Sequence, residues 1–353
     1  MVSRNTSKAV LLKSGFPQTP FRESHKRLFW FILVRVMSIG RFIALLFYFY
    51  TNIRLNVGDK SMHFVNAKGI LTGGNGFYGM NIYRGCTHGC IYCDSRSLCY
   101  QFTHAFEDIE VKQNAPELLA AALKSKRRPC MIGTGSMSDP YMHCEETLHL
   151  TRKCLQVIEE HGFGVAVQTK SDRILSDMDL LDAINRKAKC VVQMTLTTWD
   201  ERLCSLIESN VCNTQRRLEV LEAMRRRGIP TVVWLTPILP FINDRSENVL
   251  SILDACAEAG VKGIICFDMG LTLRDGDREY YYAALDKHFP GLKMTYIQRY
   301  GNAYEVPSPN APALMKLFHT FCEEHGMLHT PDDCFSYLHE FPEKYRQTSL
   351  FDL

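Results

Sequence analysis

The stretch Arg84–Ser97 reads RGCTHGCIYCDSRS. It holds Cys86, Cys90 and Cys93 in a C-x-x-x-C-x-x-C spacing, with Tyr92 just before the last cysteine. Gly85 and Gly89 suit a loop that wraps closely around a bound group. Three thiolates can hold three corners of a cubane iron–sulfur cluster. The fourth iron is then open, as a catalytic metal requires. A structural zinc would use four ligands, usually in C-x-x-C pairs, and an electron-transfer cluster would use a fourth cysteine. The spacing favours the open cluster over both. His88, in the same loop, reads as a solvated side chain rather than a ligand. The other eleven of the fourteen cysteines form no second C-x-x-C. They read as small core residues in a reducing compartment.

Outward from this loop, short β-rich runs alternate with helical patterns. The expected strands are Tyr78–Tyr83, Pro129–Thr134, Gly164–Lys170, Lys189–Thr197, Pro230–Ile238 and Val261–Met269. Expected helices include Pro116–Lys126, Glu145–His161, Thr214–Gly228 with its glycine stop, and Asn310–Gly326. Apolar strands separated by helices imply parallel β/α units. Six such units make an α/β fold, a partial (β/α)6 TIM-like barrel with its chemistry on the loops after the strand C-termini. The expected division is an extension over 1–61, the barrel over 62–330, and an irregular tail over 331–353.

The chain has 353 residues, 46% of them hydrophobic and 22% charged, which supports a full core and excludes a disordered composition. Residues 1–61 carry ten Lys/Arg and two Asp/Glu, a net +8. That leaves 31 basic and 36 acidic residues, a net −5, for the rest. The mild acidity beyond residue 61 argues against broad non-specific nucleic-acid binding. Leu28–Tyr50 is an apolar run interrupted by Arg35 and Arg41. Its length suits a membrane span, but two central arginines cost roughly 2.5–3.5 kcal/mol each and offset the apolar gain. The run is expected to be an upstream extension, with Met62 as the working start. A membrane anchor and a packed cap helix are the alternatives. The expected location is cytoplasmic.

Five stretches together resemble the spore photoproduct lyase-related group of radical S-adenosylmethionine (SAM) proteins. They are NIYRGCTHGCIYCDSRS, GTGSMSDPY (Gly133–Tyr141), TKSD (Thr169–Asp172), the run from Met194 to Glu219, and TPILPFIND (Thr236–Asp244). The resemblance implies a 4Fe–4S cluster on Cys86, Cys90 and Cys93 and a SAM molecule on the open iron. It also implies reduction by a flavodoxin- or ferredoxin-type donor and formation of a 5′-deoxyadenosyl radical. Tyr92, Gly133, Gly135, Lys170 and Thr195 sit where the group holds its cofactors. Lys170 would meet the SAM carboxylate and Thr195 its ribose or carboxylate. Pro237 and Pro240 would shape the adenine pocket. Asp139 would orient SAM or start a turn.

The sequence departs from the group at one position. The lyases carry a hydrogen-donating cysteine in the loop after the second strand, and the matching residue here is Ser136. A serine O–H bond is too strong for that role, so the substitutes are Cys144 and Tyr141. The photoproduct reaction is therefore not expected. The substrate classes left open are a DNA lesion or modified nucleotide, and a small molecule or peptide. A non-catalytic iron–sulfur protein is the third reading. The last residues, Gln347–Phe351, resemble the peptide that binds the bacterial DNA sliding clamp, with Leu350 and Phe351 as its apolar anchors.

Overall fold

The computed structural model describes residues 55–57, 60–74 and 76–342. Leu28–Tyr50 and Gln347–Phe351, the expected membrane and clamp segments, lie outside the described residues. Among the described residues no helix is long and apolar enough to cross a membrane.

Six parallel strands form the centre of a seven-stranded sheet: β1 (Phe77–Met80), β2 (Met131–Thr134), β3 (Gly164–Thr169), β4 (Cys190–Thr195), β5 (Thr231–Trp234) and β6 (Gly263–Ile265). They lie side by side in chain order, and Leu71–Gly74 pairs antiparallel on the free edge of β1. The crossovers carry α1 (Ala115–Lys124), α2 (Leu150–Glu160), α3 (Met178–Lys187), α4 (Thr214–Arg226) and α5 (Ser246–Glu258), and α6 (Ala311–Glu324) follows β6. Sequential order with a helix in each connection is the partial barrel expected from the alternation.

Alternate strand residues serve two cores, because successive side chains point to opposite faces. Ile132, Val165, Val167, Val192, Met194 and Val233 pack with Leu119, Leu155, Leu181, Val220 and Ile252 of the helices. Met131, Ala166, Val191, Val232 and Ile265 face the other way, against Cys334 and Leu338.

Those two residues belong to α7 (Pro331–His339), which corrects the expected irregular tail. The Thr330 hydroxyl accepts the Asp333 amide at 3.2 Å, Pro331 opens the first turn, and Asp332 and Asp333 complement the helix dipole. A second correction concerns Glu145–His161. It splits into Glu145–Leu148 and α2 because His149 adopts a left-handed conformation, φ 51°.

Two further pieces brace the cysteine loop. In a second sheet Ile109–Lys112 lies between Lys60–Val65 (parallel) and Tyr83–Arg84 (antiparallel). Lys60–Val65 runs across the expected boundary at 61/62, with Met62 buried in the main core. Between β6 and α6, an insertion adds helices Asp277–His288 and Leu292–Tyr300 inside the hairpin of Gly270–Thr272 and Glu305–Pro307. Its Leu271, Tyr281 and Tyr296 pack against Cys90, Ile91 and Tyr92.

Candidate active site

The cysteine loop leaves the Tyr83–Arg84 strand through Gly85, which has φ 91°. A Cβ there would lie 2.4 Å from the Phe106 carbonyl. That carbonyl accepts the Cys86 amide at 3.1 Å, so the glycine lets the chain close on its support. The opposite wall is the segment after Glu201–Ile207. Ile91 N–H donates to the Ile207 carbonyl at 3.0 Å, and Asn210 N–H to the His88 carbonyl at 3.0 Å. The Asn210 amide also reaches the Thr87 carbonyl at 2.9 Å, and Cys90 bridges Glu208.

Glu208 is the electrostatic centre of this wall. It accepts the Tyr92 hydroxyl and pairs with Arg217 of α4, and the side chains of the ion pair are fully buried. Arg217 also donates to the carbonyls of Cys212 and Thr195, both at 3.0 Å. Burial alone would raise the Glu208 carboxyl, but Arg217, Lys170 and the Tyr92 hydroxyl hold it below its ordinary value. One ion pair thus joins the tyrosine of the cysteine loop to the end of β4.

Asp139 performs the same service on the other side. Its carboxylate accepts the Tyr141 amide at 2.8 Å, the Thr169 hydroxyl at 2.7 Å and the Lys170 amide at 2.8 Å, and faces His88 Nδ1 at 3.3 Å. With those partners it ties the loop after β2 to the end of β3 and to the cysteine loop. His88 is therefore a correction: it is buried, not solvated. Burial pushes it down to about 4, so the ring is neutral at physiological pH.

The expected cofactor residues fall at the C-terminal ends of the strands. Gly133, Gln193 and Thr195 share the inner face through the register of β2, β3, β4 and β5. Gly133 leaves room for the Phe77 ring, whose Cζ would be 2.5 Å from a Cβ. Gly135 has φ 102°, and a Cβ there would lie 1.9 Å from the Gln168 carbonyl. Lys170 follows β3, with Nζ 5.9 Å from the centre of the Tyr92 ring. Burial opposes its charge, but an ionised Cys90 and the Glu208 carboxylate outweigh that and hold it above an ordinary lysine. The Pro240 carbonyl accepts the Tyr296 hydroxyl at 2.8 Å, and the Asn243 amide ties the Pro237–Pro240 loop to the Thr197 carbonyl at 2.6 Å.

Tyr141 and Cys144 are both buried in the main core. The Tyr141 hydroxyl donates to Asp177 at 3.0 Å. Cys144 lies within electrostatic reach of Cys86, and burial pushes its thiol up to about 12. Ser136 is exposed on the loop after β2. All fourteen cysteines are free, and nine of the eleven outside the motif are buried.

Burial raises all three motif thiols, Cys86 to about 12, so without a bound cation they hold their protons at neutral pH. Three thiols are one ligand short of a closed tetrahedral zinc site. The donor set fits a larger, multiply charged group such as a cubane cluster.

Residues 80–253 match the profile of the radical SAM superfamily. This chain is a radical SAM protein with a spore photoproduct lyase-like fold. Spore photoproduct lyase with bound AdoMet and dinucleoside spore photoproduct superposes with a TM-score of 0.53 at 15% identity, over 72% of this chain and 75% of that one. An uncharacterised protein of Mycobacterium tuberculosis (strain ATCC 25618 / H37Rv) is 28% identical over 242 residues, 65% of this radical SAM protein and 69% of the relative. The radical SAM Nalpha-GlyT isomerase of Pseudomonas phage M6 is 24% identical over 182 residues, 51% of this chain and 36% of that one.

Proposed function

We propose that this radical SAM protein is an enzyme whose Cys86, Cys90 and Cys93 hold a 4Fe–4S cluster. SAM binds beside it, and the substrate is a nucleic-acid lesion or modified base. The observation that carries the cofactor assignment is the donor set: three thiols on one loop, Cys90 buried and Cys86 and Cys93 half-buried, clamped on both sides, with a lysine held over Tyr92. When bound, the cluster supplies the electron that breaks the sulfonium C–S bond of SAM.

In this reading Lys170 presents its ammonium to the SAM carboxylate, and Thr195 offers a hydroxyl at the end of β4. The backbone through Gly133 and Gly135 would meet the amino group. Tyr92 is a positioning residue that transmits the Glu208–Arg217 pair to the loop. Cys144 is the preferred hydrogen-atom donor, because the Tyr141 hydroxyl is committed to Asp177. The reductant is a flavodoxin- or ferredoxin-type protein of the cytoplasm. The nucleic-acid assignment is supported by the dinucleoside seen in the lyase of similar fold. Photoproduct repair itself is not proposed, because Ser136 carries no thiol.

Anaerobic reconstitution should give a brown protein with about four irons per chain. A tightly held single zinc without iron contradicts the cofactor assignment. For the substrate, label transfer from deuterated oligonucleotides into 5′-deoxyadenosine is expected. Transfer from peptides or small metabolites alone reverses the substrate class and leaves the cofactor assignment standing.

A further inference from the structure

A second group of metal-ligand side chains stands on the sheet that braces the cysteine loop. His63 and Glu110 are direct partners across the strands Lys60–Val65 and Ile109–Lys112, so both side chains lie on one face. His104, from the loop before Ile109, sets its ring 4.8 Å from that of His63 at an interplanar angle of 81°. One ring nitrogen from each histidine and one Glu110 oxygen all lie within 4.8 Å of one another, and all three residues are half-buried.

The tautomers point to an ion. His104 Nδ1 lies 2.9 Å from the Ala105 carbonyl, which can only accept, so Nδ1 carries the hydrogen. In the neutral ring Nε2 is then a bare lone pair. That atom is buried, has no hydrogen-bond partner, and lies 4.0 Å from a Glu110 oxygen. A lone pair beside a carboxylate is repulsive unless a cation stands between them. His63 Nδ1 lies 3.3 Å from Asp108, and a carboxylate behind the ring is the usual outer partner of a metal-bound histidine. Of the side-chain cations nearby, Lys112 lies on the same face two residues along and interacts with Glu110, whereas Arg84, in register with Glu110, is committed elsewhere. Arg84 donates to the carbonyls of Tyr100 at 2.5 Å and Gln101 at 3.0 Å and lies over the Phe102 ring.

We propose that His63, His104 and Glu110 bind one divalent transition metal of the zinc type. Two imidazoles and one carboxylate suit zinc, cobalt or iron(II), whereas magnesium and calcium prefer all-oxygen sites. Three protein ligands leave one position for water. The ion ties together the strand Lys60–Val65, the loop bearing His104 and the strand Ile109–Lys112. That loop also carries the Phe106 carbonyl that holds the Cys86 amide. The metal therefore braces the cysteine loop without touching its thiols.

The test is a Co²⁺ titration of the anaerobic, iron-loaded full-length protein, read by the d–d absorption of the ion. One equivalent should bind at about micromolar Kd, without a thiolate-to-cobalt charge-transfer band, and Zn²⁺ should displace it. His63→Gln/His104→Gln should abolish binding and leave the iron content intact. Asp108→Asn should weaken it about 10–100-fold. Saturating Co²⁺ should raise the Tm of the wild type and not of the double variant. Should the double variant fail to fold, Glu110→Gln takes its place in both measurements. No cobalt binding at 100-fold the expected Kd, undiminished binding in the variants, or a thiolate charge-transfer band would each overturn the proposal. The first of these results leaves a proton shared by His104 and Glu110 as the cation.

Discussion

Glu208 is buried, charged and joined to three parts of the site at once: Tyr92, Arg217 and the bridge to Cys90. Removing one partner of a buried ion pair leaves an uncompensated charge, at a cost of about 3–5 kcal/mol. Glu208→Gln should therefore lower stability by that order in chemical denaturation. It should also reduce iron incorporation, although no cysteine is changed. Unchanged stability would mean that the pair is hydrated and does not organise the loop. The three cysteines were legible because their spacing is local and chemically specific. Glu208 and Arg217 were not, since a polar residue reveals a buried role only through its partners. Glu208 and Tyr92 are 116 residues apart in the chain. His88 was misread for the same reason, because a histidine between Thr87 and Gly89 gives no hint of the distant Asp139 that receives it.

Strands and long helices followed their apolar patterns closely. All six expected strands are present with shifted bounds. The first starts at Phe77, ends at Met80 and yields Tyr83 to the second sheet, the second starts only at Met131, and the last four stop short at their C-terminal ends, where the site lies. The tail helix α7 carried a readable start, Thr330-Pro331-Asp332-Asp333, but too short an apolar pattern to outweigh its loop-like flanks. It closes the inner core through Leu338. Leu338→Asp loses about 1.5–3 kcal/mol of apolar burial and adds an unpaired charge. Aggregation, or a Tm lower by many degrees, is expected. A variant that melts with the wild type would mean that α7 is dispensable. The insertion gives a pH prediction at Asp277, the first residue of its helix. Burial pushes this carboxyl up to about 6, against about 3.9 in an unfolded chain. Between those values the folded state holds a proton that the unfolded state releases. Stability therefore falls as pH rises through that window, and the loss is complete above about 6. Asp277→Asn should remove this slope, so the Tm of the variant should gain on the wild type from about pH 4 to pH 6. Parallel Tm curves would show that the carboxyl is hydrated and titrates normally.

At the scale of the molecule, two hydrophobic cores converge on one loop. The main barrel core reaches it through Cys86, and the insertion core through Cys90, Ile91 and Tyr92. That convergence makes the cysteine loop a rigid part of the fold, as a site that must hold a reactive group away from water requires. The sequence identified the barrel because β/α alternation repeats along the chain. It did not reveal the bracing sheet or the insertion, whose strands are short and pair across long separations. The measurement that bears most directly on function is SAM cleavage by the anaerobically reconstituted, dithionite-reduced protein. Wild type should release 5′-deoxyadenosine, and Cys90→Ala should release none while keeping its fold. Absence of 5′-deoxyadenosine from an iron-loaded wild type, together with an EPR spectrum unchanged by SAM, would contradict the assignment of this chain as a radical SAM enzyme.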